Sequence, residues 1–170
     1  MTDICCIGHI TLDKIITPQH ISYMPGGTAY YFSRGMASLH ALTGYKLITA
    51  LGSKEYPVVD ELRKAGIDID VLPSRHTVYF ENRYGENSAQ RVLAKADPFT
   101  IDALHKENAR FFHLGSLLAD DFPPEVIKYL SGKAILSVDA QGYLREVKGD
   151  KVSPIDWPEK REILKYIDIL

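Results

Sequence analysis

The sequence predicts an α/β fold on a mainly parallel sheet, and three observations lead there. First, short apolar runs at residues 4–10, 46–51, 110–114 and 134–138 each end at a turn bearing glycine or aspartate. Runs of that kind suit strands buried on both faces. Second, amphipathic helical patterns alternate with them, as in Ala29, Phe32 and Met36, and in Val58, Val59, Leu62 and Ala65. Third, residues 76–84 and 88–94, joined by Gly85-Glu86-Asn87, read as a β-hairpin with mixed polar and apolar faces. A half-polar hairpin does not belong inside a parallel sheet, so it is expected to stand off the body as a flap.

In chain order, residues 4–10 are the first strand, and Thr11-Leu12-Asp13-Lys14 interrupts it. Residues 15–23, with Pro18, are mixed and are expected to extend outside the main sheet. Met24-Pro25-Gly26-Gly27-Thr28 then turns directly into a helix whose weak point is Gly35 and whose end is near Gly44. A strand at 46–51, a helix closed by Gly66 and a short strand at 67–72 precede the hairpin. After Asp97-Pro98 the rhythm resumes. A helix is expected at 100–108, a strand at 110–114, a helix opened by Pro123-Pro124, and a strand ending at Asp139. Pro158 and Glu159 open a last helix, and residues 166–170 read as a final strand. A parallel strand needs cover on both faces, so a chain stopping there is expected to lack part of its fold.

The 170 residues suit one domain. With 20 basic and 22 acidic residues and a net charge of −2, no basic footprint for nucleic acid is present. No apolar run reaches the ~18 residues of a membrane span, and the N-terminus lacks a signal-peptide pattern. Adjacent Cys5 and Cys6 read as buried thiols of a reducing compartment, so a cytoplasmic location is expected. The six histidines show no ligand spacing, and no metal site is expected.

Ligands in open α/β sheets bind beyond the carboxyl ends of the strands. Asp13, Gly26-Gly27, Gly52, Gly115-Ser116 and Asp139 all fall there. A carboxylate such as Asp13 can hold two neighbouring hydroxyls of a polyol, or it can simply serve a turn. Adjacent glycines let the backbone approach a ligand, and the helix they open offers free N–H groups. No G-x-G-x-x-G or G-x-x-x-x-G-K-[ST] loop is present.

A first strand ending Gly-His-Ile-Thr-Leu-Asp13, then Pro-Gly-Gly-Thr-Ala-Tyr-Tyr opening a helix, Thr-Ala-Leu-Gly52, a hairpin, and a strand ending at Asp139 together resemble the ribokinase-like (PfkB) carbohydrate kinases. The resemblance covers essentially all 170 residues. It implies a three-layer sandwich around the mainly parallel sheet, with a small β lid inserted at about residues 13–24 and 73–95, and with the C-terminal part of the fold missing. It implies that Asp13, Gly26, Gly27, Thr28, Tyr31 and Thr77 bind the acceptor, and that Asp139 lies near the phosphates or their metal. Many members carry Asn where Tyr30 or Tyr31 stands, and an acid where Gly115-Ser116 stands.

The family's Gly-Ala-Gly-Asp-like loop, which supplies the catalytic base, does not occur, so the base is expected beyond residue 170 and this chain alone is expected to be inactive. The implied activity of the intact protein is ATP-dependent phosphorylation, with Mg²⁺, of a hydroxymethyl group on a sugar or related molecule such as a nucleoside. Neither ATP nor Mg²⁺ is expected to bind this chain tightly. A homodimer through the lid is a further expectation. The alternative is a non-catalytic sugar- or nucleoside-binding protein of the same fold.

Overall fold

A computed structural model describes residues 2–170. In order they form β1 (Thr2–Gly8), β2 (Thr11–Ile16), β3 (Ile21–Gly26), α1 (Thr28–Ser38), β4 (Tyr45–Leu51), α2 (Tyr56–Lys64), β5 (Asp68–Pro73), β6 (Val78–Arg83), β7 (Ala89–Ala94), α3 (Ile101–Leu104), β8 (Ala109–Gly115), α4 (Pro124–Ser131), β9 (Ile135–Asp139), β10 (Arg145–Lys148), β11 (Lys151–Pro154) and α5 (Lys160–Ile163).

Five strands make a wholly parallel sheet in the order β5-β4-β1-β8-β9. Successive strand residues point to opposite faces, and the core divides accordingly. Cys5, Ile7, Ile48, Phe112, Leu114 and Leu136 face one side, under Val126, Ile127 and Leu130 of α4 and Ile163 of α5. Cys6, Leu47 and Ile69 face the other, under Ala29 of α1 and Val59 and Leu62 of α2. Burying each such aliphatic side chain contributes about 1.5–3 kcal/mol. The result is the three-layer α/β sandwich expected from the sequence. The two cysteines, adjacent in sequence, are free and back to back across the sheet. Burial raises both thiol pKa values, that of Cys6 to about 12.

The second sheet has six strands in the order β10-β11-β7-β6-β2-β3. Only its β2–β6 pair is parallel. Val78, Phe80 and Val92 on its inner face pack on Leu117 and Leu118 in the loop after β8.

The structure differs from the sequence reading at four places. Residues 11–14 do not merely interrupt the first strand; they begin β2, paired with β3 and, from Thr11 to Val78 onward, with β6. That partner lies 67 residues away, and local residue types carry no trace of it. Residues 145–154 form a further hairpin, joined to β7 where Lys151 faces Arg91, so the lid sheet has a third contributor. The helix expected at 100–108 shrinks to α3, one turn capped by Thr100, whose hydroxyl accepts the Ala103 N–H at 3.3 Å. Residues 166–170 align with β9 in the expected parallel direction but make only the bridge from Ile169 to Ser137. There the Asp168 carboxylate accepts the Leu136 N–H at 2.8 Å, taking a donor that a regular ladder would use.

Gly35 sits inside α1 with open space where a Cβ would stand, and its φ is not positive. Gly35→Ala is therefore expected to stabilise the protein by about 0.5–1 kcal/mol. Thermal denaturation of the variant checks this.

Candidate acceptor site at the carboxyl edge of the sheet

The Gly26-Gly27 turn joins the lid sheet to the body. A Cβ on Gly26 would lie 2.4 Å from Asp13 Oδ2, so the glycine is what gives the Asp13 carboxylate its room. Gly27 has φ 94 and ψ 150, a region essentially reserved for glycine. A Cβ there would lie 2.5 Å from the His9 carbonyl oxygen. No side chain caps α1, so its first-turn N–H groups remain available to a ligand. Two further glycines let that helix start come close over the strand ends: a Cβ on Gly8 would meet Ala29 Cβ at 2.9 Å, and one on Gly115 would meet Ala29 N at 3.1 Å.

Beneath the turn, His9 and Asp121 form a buried pair. His9 Nδ1 donates to the Ala50 carbonyl at 3.1 Å, and its Nε2 lies 3.6 Å from Asp121 Oδ1 with no hydrogen-bond partner. Asp121 Oδ2 accepts the Leu117 and Leu118 N–H groups at 2.7 and 2.9 Å. Burial raises the Asp121 pKa against the opposing pull of His9 and those two donors. The pair anchors the loop that carries Leu117 and Leu118 beneath the lid.

Asp13 lies in β2 beside Met24 of β3 and Phe80 of β6. Thr11 donates its hydroxyl to Asp13 Oδ1 at 2.7 Å. The other oxygen is the one nearest Gly26. Burial raises the Asp13 pKa, while the Thr11 bond and the charge of Arg145 oppose the rise. Tyr31, half exposed on α1, feels the Asp13 charge, and its phenol pKa is raised chiefly by burial and then by Asp13.

Thr28 ties this floor to the far wall: its hydroxyl donates to Asp139 Oδ2 at 2.8 Å. Asp139 Oδ1 accepts the Gln141 N–H at 2.9 Å. The structure thus brings Asp13, Gly26, Gly27, Thr28, Tyr31 and Asp139 to one edge. Thr77 is placed differently. It is buried, its hydroxyl donates to Glu55 Oε2 at 2.6 Å and accepts the Gly52 N–H at 2.9 Å, and it lines a separate hollow of about 430 Å³ with Leu12 and Tyr79. There it clamps the end of β4 to the lid.

Sequence reasoning missed Arg145, the first residue of β10. Its guanidinium donates to the Leu117 carbonyl at 3.2 Å and lies 5.8 Å from the centre of the Phe80 ring. It borders a cleft of about 730 Å³ that also includes Asp139, Gln141 and Leu170. One signal for it existed: Gly149-Asp150 between two short mixed runs is a two-residue hairpin turn.

No family model and no curated protein sequence matches the chain. Solved structures do. A pyrophosphate-dependent kinase in the ribokinase family, complexed with a pyrophosphate analogue and myo-inositol, superposes with a TM-score of 0.87 at 30% identity over 97% of this chain and 59% of that one. A pyrophosphate-dependent myo-inositol-1 kinase converted into a myo-inositol-3 kinase gives 0.87 at 28% identity over 97% of this chain and 57% of that one. A nucleoside kinase from Burkholderia thailandensis in complex with inosine shares the fold with a TM-score of 0.59 at 15% identity, over 81% of this chain and 52% of that one. The chain therefore spans less than two thirds of the length of these kinases. A parallel five-stranded sheet, a lid sheet standing on its carboxyl edge and the Gly-Gly helix start between them are the ribokinase-like (PfkB) fold, and that is the fold of this chain.

Proposed function

We propose that the protein carrying this chain transfers a phosphoryl group to a hydroxyl of a cyclic polyol or sugar, and that this chain seats the acceptor. The observation that carries the reading is Asp13, with a carboxylate oxygen against Gly26, the residue just before the uncapped start of α1 at Gly27. One carboxylate can accept hydrogen bonds from two adjacent hydroxyls, and the helix N–H groups suit oxygen that gains negative charge. The similarity to two kinases described with myo-inositol favours a cyclic polyol. The hydroxymethyl group of a sugar or nucleoside, suggested by the wider resemblance, is the second acceptor to test.

In the reaction the acceptor oxygen attacks phosphorus. The bond from phosphorus to the leaving oxygen breaks with its electron pair on the leaving group, and the hydroxyl proton passes to a base. The Gly-Ala-Gly-Asp-like loop that supplies this base in the resembled family does not occur among these residues. The base is therefore assigned to residues outside these 170, and this chain alone should not turn over. Losing a positioned base costs about 10²–10⁴ in rate.

The donor reading follows the same relatives, described as pyrophosphate-dependent; ATP with Mg²⁺ is the alternative that the wider resemblance implies. Among the described residues no group of three His, Cys, Asp or Glu side chains could hold a metal ion. The described residues include no helix long and apolar enough to cross a membrane. We place the protein in the cytoplasm on its two free, buried cysteines. The lid edge β3, where Ile21 and Tyr23 are 58% and 60% exposed, is the surface a lid-mediated homodimer would use.

The test is an assay of the intact protein with myo-inositol, ribose and inosine, each with pyrophosphate or ATP. Phosphorylated myo-inositol formed from pyrophosphate is the expected product. Polyol binding without turnover on any donor would instead support the non-catalytic reading.

A further inference from the structure

We propose that Arg145 is the phosphate-binding cation of this site, holding the transferred or released phosphate between the acceptor wall at Asp13 and the far wall at Asp139. The inference rests on the kinase reading above and goes beyond it by naming a residue and the group it holds.

Three observations carry it. The first is position. Arg145 opens the hairpin that completes the lid sheet, yet its guanidinium turns inward over Phe80 and borders the cleft containing Asp139. Phe80 is also the residue opposite Asp13 in the lid sheet.

The second is vacancy of the donor groups. A guanidinium carries five N–H donors. Among the described residues, the hydrogen bond of Arg145 goes to the Leu117 carbonyl, which uses one of the five, and the residue lines the cleft. Three other cations of the same sheet and its border are committed elsewhere, Lys14 to Glu81 at 2.8 Å, Lys95 to Asp120 at 2.8 Å, and Arg91 to Asp150, while Arg83 and Lys151 are exposed.

The third is the charge balance. Asp139, Asp121 and Asp13 all act on the Arg145 charge, and half-burial lowers its pKa against them. A phosphate entering between Asp13 and Asp139 would meet two carboxylates. It can be held there only if a cation faces it, and a planar guanidinium binds a phosphate through two parallel N–H···O bonds. A lysine would supply the charge as a point but not the fork.

The experiment uses the intact protein at about pH 8, well above the ordinary aspartate range. Calorimetry measures binding of myo-inositol alone, and of inorganic pyrophosphate and phosphate with myo-inositol present. Arg145→Ala is expected to weaken pyrophosphate and phosphate by at least about tenfold, as expected when a charged, bidentate hydrogen bond is lost, while myo-inositol affinity moves by less than about twofold. Arg145→Lys should recover part of the anion affinity, a rescue that a purely packing role would not give.

Unchanged pyrophosphate and phosphate affinity in Arg145→Ala overturns the proposal. So does equal loss of polyol and anion binding in both variants, which would mark Arg145 as structural. A wild-type protein that binds myo-inositol but neither anion overturns it as well. A wild-type protein that binds pyrophosphate and loses it in Arg145→Ala, yet binds no polyol or sugar, leaves the arginine assigned and removes the acceptor reading instead.

Discussion

Asp13→Asn should weaken polyol binding about a hundredfold while raising the melting temperature. The two effects share one cause. The Asp13 carboxylate accepts the Thr11 hydroxyl at 2.7 Å, and burial raises its pKa, so the charge is held where water solvates it poorly. Two ligand hydroxyls bonded to a charged acceptor are each worth about 1.5 kcal/mol, and ~3 kcal/mol is about two powers of ten in affinity. Asparagine keeps the shape and an oxygen for Thr11, so it removes the charge without opening a hole.

Because the folded-state pKa of Asp13 lies above its unfolded value, its contribution to stability is full below about pH 4 and is lost as the pH rises through the folded value. Polyol binding runs the other way, since the ligand needs the carboxylate. Affinity should climb through a midpoint above the ordinary aspartate range, and the climb should vanish in Asp13→Asn. Calorimetric titrations across pH, beside melting curves, read both. Unchanged affinity in the variant would mean that Asp13 only serves its turn.

Gly27→Ala is expected to destabilise the fold by about 3 kcal/mol or more, against the gain expected for Gly35→Ala about two helix turns away. At φ 94 and ψ 150 an L-residue is strained by about 1–3 kcal/mol. The added Cβ would also sit 2.5 Å from the His9 carbonyl oxygen, a backbone atom that cannot swing aside. Relief requires moving the start of α1 off the strand ends, which would pull Thr28 from Asp139. Denaturant titration measures the loss. A change below about 1 kcal/mol would mean the turn has another conformation in solution.

The parallel body was legible because most of its strands are apolar in their own right, the edge strand β5 with its alternating Asp68 and Asp70 being the exception. Residues 46–51 declare themselves without reference to a partner, since both faces are buried, and 134–138 do so through Leu136 and Val138 in the core. The Gly-Gly turn was legible for a related reason: a backbone at positive φ, and one pressed against a carboxylate, admit few residues besides glycine. The lid was legible only in part. The 76–94 hairpin carries a glycine turn within itself, whereas β2 sits between β3, across residues 17–20, and the distant β6. The short β10–β11 hairpin has mixed faces, and it joins the sheet through Lys151 and Arg91.

The site divides along the same line. Sequence alone determined the layered α/β class, the Asp13 and Gly26-Gly27 constellation and the position of Asp139 at a strand end, because strand burial and glycine-only backbone leave their mark residue by residue. Only the tertiary structure decided that Thr28 reaches Asp139, that Thr77 is spent on Glu55 and Gly52, and that Arg145 turns in over Phe80. These are pairings across 111, 22, 25 and 65 residues of chain. A hydrogen bond or a charge carries no periodicity along the sequence; its partner is fixed only when the sheets have packed.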